Sequence, residues 1–236
     1  MPPSWSTAPG GRSAPAKSSA KQRCGERSVA SAGPIKKALA ASERDEEART
    51  AWRAAVTQLD PEQLVFVDES GSNITLTRLY GWAPHHQRAT GSAPRNHGKH
   101  TTLVAALTRE GLHVPWLIEG AMDSATFAWY ITEQLAPTLR SGQVVVLDNL
   151  SVHKAARIRQ AIEARGCQLL FLPPYSPDFT PIEQAFSKLK ASLRRLGART
   201  TEALWEAMGV AVEAITRANA RAWFAHAGYA LPAQPT

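Results

Sequence analysis

Three short runs of uninterrupted apolar residues constrain this chain more than any other feature: "LVFV" at 64–67, "VVVL" at 144–147 and "LLFL" at 169–172. A strand with one wet face alternates apolar and polar side chains, whereas a continuous run needs cover on both faces. The second and third runs bracket "SVHKAARIRQAIEARG", a helical pattern from Ser151 to a glycine stop at Gly166, which gives a β-α-β crossover. Ahead of them, "NITLTRLYGW" and "HTTLVAALT" are rich in strand formers, and a turn at "REG" leads into "LHVPWLIEG". "SATFAWYITEQLAPTL" reads as a helix capped by Ser124. A final amphipathic helix starts near Thr201, with Leu204, Met208, Ala211 or Val212, and Ile215 on one face. Antiparallel strands followed by β-α-β predict an α/β fold, one mixed sheet with helices on both faces.

Composition narrows the function classes. The chain has 236 residues, of which 44% are apolar, enough for a substantial core. It contains no run of about 18 apolar residues, so no membrane span is expected, and the N-terminus lacks the apolar middle of a secretory signal. Cys24 and Cys167 are too few and too isolated for a disulfide framework or a cysteine zinc site. The expected location is cytoplasmic. Net charge is +7, which favours polyanion partners, but residues 1–44 carry eight basic and two acidic side chains and hold most of the excess. Residues 1–33 are rich in Ser, Ala, Pro and Gly and read as a disordered basic tail. Residues 34–61 read as a linker helix capped by Ser42, with a stripe of Ala48, Trp52, Ala55 or Val56, and Leu59. A folded domain then spans 62–230, and 231–236 reads as a flexible C-terminus.

Acids stand where the core elements meet solvent. Asp68 follows "LVFV", Asp148 follows "VVVL", and Glu183 lies in the first turn of the helix after "LLFLPPYSPDFTP", with 34 residues between Asp148 and Glu183. Open α/β sheets gather ligands at the carboxyl ends of their strands. Each acid also has a plain structural reading. An Asp after a strand commonly starts a turn or caps a helix, and Thr180, Pro181 and Glu183 spell a capping box. If the three converge, their repulsion calls for a cation, and hard oxygen ligands favour magnesium or manganese over zinc. Behind Glu183 the helix places Ile182, Phe186, Leu189, Leu193 and Leu196 on one face. Ser187, Lys190 and Arg194 lie beside that face, with Lys188 and Arg195 nearby. This basic stripe is suited to phosphates, or is an ordinary solvated face.

"FVDES", "VLDNLSVHK" and "LPPYSPDFTPIEQAFSKLK" resemble the three signature blocks of DDE transposases, specifically the bacterial insertion sequence 630 family, which is related to the mariner-like elements. The likeness runs from about residue 33 to the C-terminus and includes "RLYGWAP" and "WFAHAGY". It implies a ribonuclease H-like fold with a five-stranded mixed sheet. It further implies that Asp68, Asp148 and Glu183 bind two divalent ions, normally Mg2+, with Mn2+ able to substitute. The implied activity is DNA cleavage at transposon ends and strand transfer into target DNA, by a homodimer. Asn149 and His153 match the second block and are expected behind the metal ligands or near DNA. Arg95 and Lys99, in a cationic loop, join Lys188, Lys190, Arg194 and Arg195 as expected DNA contacts. Family members usually begin with helix-turn-helix modules; residues 1–33 show none, so the expectation is a recognition half encoded upstream.

Other signals are set aside. Histidines 85, 86, 97 and 100 have no metal-site spacing, and Trp82, Trp116 and Trp129 are expected to pack against the sheet. Asp178, between Pro177 and Phe179, is expected to be a turn residue. There is no Walker loop or dinucleotide fingerprint. Two rival functions remain: a nuclease of the same fold that does not join ends, and a catalytically silent remnant that only binds DNA or a partner.

Overall fold

Strand β1 (Leu64–Ser72) sits at the centre of a mixed sheet ordered β3-β2-β1-β4-β5, where β2 is Thr101–Thr108, β3 Gly111–Glu119, β4 Val144–Leu147 and β5 Gln168–Phe171. It pairs antiparallel with β2 and parallel with β4, which in turn runs parallel to β5. This computed structural model describes residues 41–150 and 155–229, all within one compact unit. The expected tail at 1–33, His153 and the C-terminal 231–236 lie outside the described residues. None of the described helices is long and apolar enough to cross a membrane.

The apolar runs behave as their lack of alternation requires. Leu64, Phe66, Val144 and Val146 face one core, built with α4 (Ile182–Leu196), α5 (Thr201–Glu213), α6 (Arg217–His226) and Val56 of α1 (Glu46–Val56). Val65, Val67, Val145 and Leu147 face a second core, with α2 (Ser124–Trp129), the turns after it and α3 (Ala156–Glu163). The chain therefore covers the sheet with helices on both faces.

Several local expectations are corrected. "NITLTRLYGW" is not a strand: β1 continues through "ESGS", Asn73 Oδ1 turns the chain by accepting the Thr75 N–H at 3.0 Å, and residues 73–100 form an irregular connection. The carbonyls of Ile74 and Leu76 accept bonds from the Arg199 guanidinium, each at 3.0 Å, in place of a ladder partner. Strand propensity without a neighbouring strand does not make a strand. Trp82 lies in this connection and is fully exposed, while Trp116 and Trp129 do pack, with ring centroids 4.9 Å apart.

Helix starts shift to the stronger acceptor nearby. Asp45, not Ser42, caps α1 by accepting the Ala48 N–H at 2.9 Å, and Asp123, not Ser124, caps α2 by accepting from Thr126 at 2.7 Å. After six residues α2 widens into a π-type turn over Tyr130–Leu135 and tightens at Ala136–Thr138, where Pro137 offers no N–H. α3 begins at Ala156 and its run-out ends near Gly166, whose φ of +69° serves the stop. The expected last helix is two: Thr216 and Asn219 form a capping box that restarts the chain as α6. Leu196 is 46% exposed rather than core.

Candidate active site

The pairing of β1 sets up the site. Its parallel ladder with β4 covers Leu64↔Val144, Val65↔Val145 and Phe66↔Val146, whereas its antiparallel ladder with β2 extends from Phe66 to Ser72. Beyond Phe66 the β4-facing side of β1 opens. Carried forward two positions, the register puts Asp68 beside Asp148. Side chains two apart share a face of the sheet, so Asp68 lies on the face of Phe66, the one that α4 covers. Glu183 stands in the first turn of α4.

One cleft of about 610 Å³ opens at this place, and Asp68, Asp148 and Glu183 all line it, together with Asn149, Tyr175 and Thr180. The three acids that sequence reasoning singled out are thus brought together from three separate elements. Asp68 reports their proximity. Burial pushes its carboxyl up to about 7; the negative charges of Glu69, Glu183 and Asp148 push the same way, against the pull of the Glu69 N–H that Asp68 Oδ1 accepts at 2.8 Å.

The plain readings divide. Asp148 does start a turn, its Oδ1 accepting the Leu150 N–H at 3.0 Å. The capping box at Thr180 does not form. Thr180 instead ends the tight turn Pro177–Phe179, Pro181 holds the cap position, and no side chain caps α4. The Thr180 N–H donates to the Pro177 carbonyl at 3.2 Å, closing the preceding turn. Glu183 is exposed to the cleft without a capping duty.

The donor set fits a hard divalent cation, since three carboxylates from rigid elements supply oxygen ligands and the charge that burial makes costly. The side chains line the cleft without closing on one point: among the described residues no three His, Cys, Asp or Glu groups are close enough to hold an ion as they stand. They share a cleft and an electrostatic field.

The remaining expected residues disperse. Asn149 lines the cleft. The Lys188 ammonium donates to the Ala214 carbonyl at 2.7 Å and to Asn219 Oδ1, tying α4 to the α5–α6 junction. Lys190 lies half-buried on α4. Arg194 and Arg195 line a separate hollow of about 940 Å³ with Arg199 and the connection residues Arg78 and Arg88. Arg95 is exposed, and Lys99 pairs with Glu119 at 2.5 Å.

Two features escaped sequence reasoning. Tyr175 lines the cleft at φ +54°, a strained value for a non-glycine residue. Arg49 is only 4% exposed and grips Asp178, so Asp178 is more than a turn residue. The signal for Arg49 was its spacing from Trp52, Arg53 and Val56, which puts a cation in an apolar helical stripe.

Comparison with known proteins agrees with this architecture. Solved structures of similar fold include the mariner Mos1 paired end complex with Mg, with 16% identity, 85% of this chain and 66% of that chain covered, and a TM-score of 0.65. The Mos1 Strand Transfer Complex gives 19%, 84% and 63%, with a TM-score of 0.60. The catalytic domain of Mos1 mariner transposase gives 14%, 83% and 92%, with a TM-score of 0.55. At these identities the likeness establishes the fold, which is ribonuclease H-like. This chain spans less than two thirds of the length of the chains in the first two complexes. No curated protein sequence matches it. Residues 63–204 match the family of the DDE superfamily endonuclease, and that match, over more than half of the sequence, makes this chain a member of the DDE superfamily endonucleases.

Proposed function

We propose that the chain carries the catalytic core of a DNA transposase of the insertion sequence 630 family, in which Asp68, Asp148 and Glu183 hold two divalent ions, Mg2+ or Mn2+. The observation that carries this reading is the convergence of the three carboxylates in one cleft, with Asp68 sensing the charge of the other two. Bound there, divalent ions supply Lewis-acid stabilisation to the attacking and leaving oxygens of a displacement at phosphorus. The protein's part is positional. Asp68 is fixed by its strand ladder with β2, Asp148 by its own turn, and Glu183 by the first turn of α4. The lining Leu172 and Pro173 keep one wall of the cleft apolar, which limits water.

The substrate is DNA, at transposon ends and then at a target. Lys190, Arg194 and Arg195 continue along α4 from Glu183 and suit backbone phosphates, and Arg95 and Lys99 serve the same end from the connection between β1 and β2. Binding by this chain alone is weak and falls steeply with salt. A second copy is the proposed partner. Residues 34–61, which include α1, act as the linker to a catalytic domain at 62–230.

The test uses a duplex bearing the element's terminal sequence, with Mg2+ or Mn2+, and separately a duplex with a free 3′-hydroxyl plus a plasmid target. Metal-dependent cleavage and a joined product are expected from the wild type. Asp68→Asn, Asp148→Asn and Glu183→Gln should each drop to the uncatalysed background with unchanged circular dichroism. Retained cleavage in any variant removes that residue from the site. Cleavage without joining marks a nuclease instead.

A further inference from the structure

The first turn of α4 has no side-chain cap of its own, yet it carries Glu183. What fixes its approach is a set of contacts from α1 and from the end of α6. The Arg49 guanidinium makes a two-pronged bond to Asp178, Nη1 to Oδ1 at 3.1 Å and Nη2 to Oδ2 at 2.7 Å. The same group lies 3.9 Å from the centroid of the Phe179 ring, and the Arg53 guanidinium lies 4.0 Å from it. Trp52 stacks on Phe179, at 5.3 Å between centroids and 11° between planes. The Phe179 carbonyl accepts the Tyr229 hydroxyl at 2.6 Å in a buried bond, and Arg53 donates to the Ala227 carbonyl at 2.7 Å.

Residues 178 and 179 are therefore gripped through side chain, ring and backbone, and Glu183 follows four residues after Phe179. A paired guanidinium–carboxylate contact fixes angle as well as distance, so the grip sets the direction from which the chain enters α4. Thr180 and Pro181, both buried, leave little slack between the grip and the helix.

We propose that Arg49, acting through Asp178, is a positioning residue for Glu183, holding the start of α4 at the depth and angle from which its carboxylate reaches a divalent ion. This rests on the reading of Glu183 as a metal-holding acid. α1 is then a working part of the active site although none of its residues lines the cleft.

The experiment compares the full chain with Arg49→Gln, Asp178→Asn, the double variant, Arg49→Lys and Glu183→Gln. Two measurements are made without DNA: hydrogen exchange of the backbone over 177–187, and Mn2+ binding by calorimetry. Arg49→Gln and Asp178→Asn should each raise exchange in that segment about tenfold, as local opening does, while β1 and β2 amides keep their protection. Each should weaken Mn2+ binding about tenfold, the usual loss when a group that orients a metal ligand is removed. The double variant should be no worse than the weaker single one, and Arg49→Lys should recover little, because an ammonium cannot reproduce the fork.

Wild-type Mn2+ affinity in the Arg49 and Asp178 variants, with Glu183→Gln clearly weakened, overturns the positioning role alone. Exchange that rises only in step with the slowest core amides does the same, since it shows a general loss of stability. Equal Mn2+ binding by wild type and Glu183→Gln overturns the reading of the site itself, and the positioning role with it.

Discussion

Asp68 is the residue through which the site can be read before any ion or DNA is added. Its carboxyl titrates near 7 in the folded chain, against an ordinary value of 3.8, so the folded state holds that proton more tightly than the unfolded one. The associated stability is complete below pH 4, is lost as pH rises from about 4 to about 7, and stays lost above. Asp68→Asn removes the liability. In chelator, urea unfolding should show the variant more stable than wild type at pH 8 by on the order of 2–4 kcal/mol and indistinguishable at pH 4. Added Mg2+ at pH 8 should stabilise wild type and leave the variant unmoved. No difference at pH 8 would mean that neither burial nor the acidic neighbours raise the Asp68 carboxyl. Tyr175 and Arg49 mark the limit of what single residues disclose in a sequence. A left-handed tyrosine follows from how two proline-bordered turns meet, and an arginine in an apolar stripe looks like an exposed cation until a carboxylate 129 positions away closes on it.

At the scale of elements, α4 divides its cations by task. Lys188 anchors the helix to the α5–α6 junction, so Lys188→Met should cost about 1.5–3 kcal/mol of stability, the range for a hydrogen bond involving a charged group. It should leave the salt dependence of DNA binding unchanged. Lys190→Ala or Arg194→Ala should do the reverse, keeping stability and lowering the salt slope by about one unit if each touches one phosphate. Equal slopes in all three variants would count against the assignment. The sequence displayed α4 as a basic amphipathic helix but did not show which lysine it spends on its own packing, because α6 was not visible as a separate element. The strands were the most legible part: "VVVL" and "LLFL" are covered on both faces as their composition demands. "NITLTRLYGW" misled because strand propensity is realised only beside a partner, and here Arg199 takes the carbonyls that a partner would have used. The capping signature at Thr180 misled because Pro181 holds the cap position and no side chain caps α4.

At the scale of the whole molecule, the three acids lie far apart along the chain and meet because the sheet is ordered β3-β2-β1-β4-β5 with α4 across one face. In the sequence their convergence was conditional on the strands being neighbours, and the cleft's walls were not legible, since they depend on how turns pack. The level placement of Asp68 and Asp148 makes the molecule unevenly tolerant of changes in length. One glycine inserted between Val146 and Leu147 should turn Asp148 to the opposite face and abolish Mn2+ binding in calorimetry, even in protein that still folds. Two residues inserted between Thr90 and Gly91, in the irregular 73–100 connection, should leave Mn2+ binding within a few-fold of wild type, because lengthening a loop adds little closure entropy. Loss of binding in the second variant, or its survival in the first, would contradict this. Descendants of such a chain can vary the reach of that connection almost freely, whereas the few positions before each aspartate behave as a ruler from which no division can be added or removed.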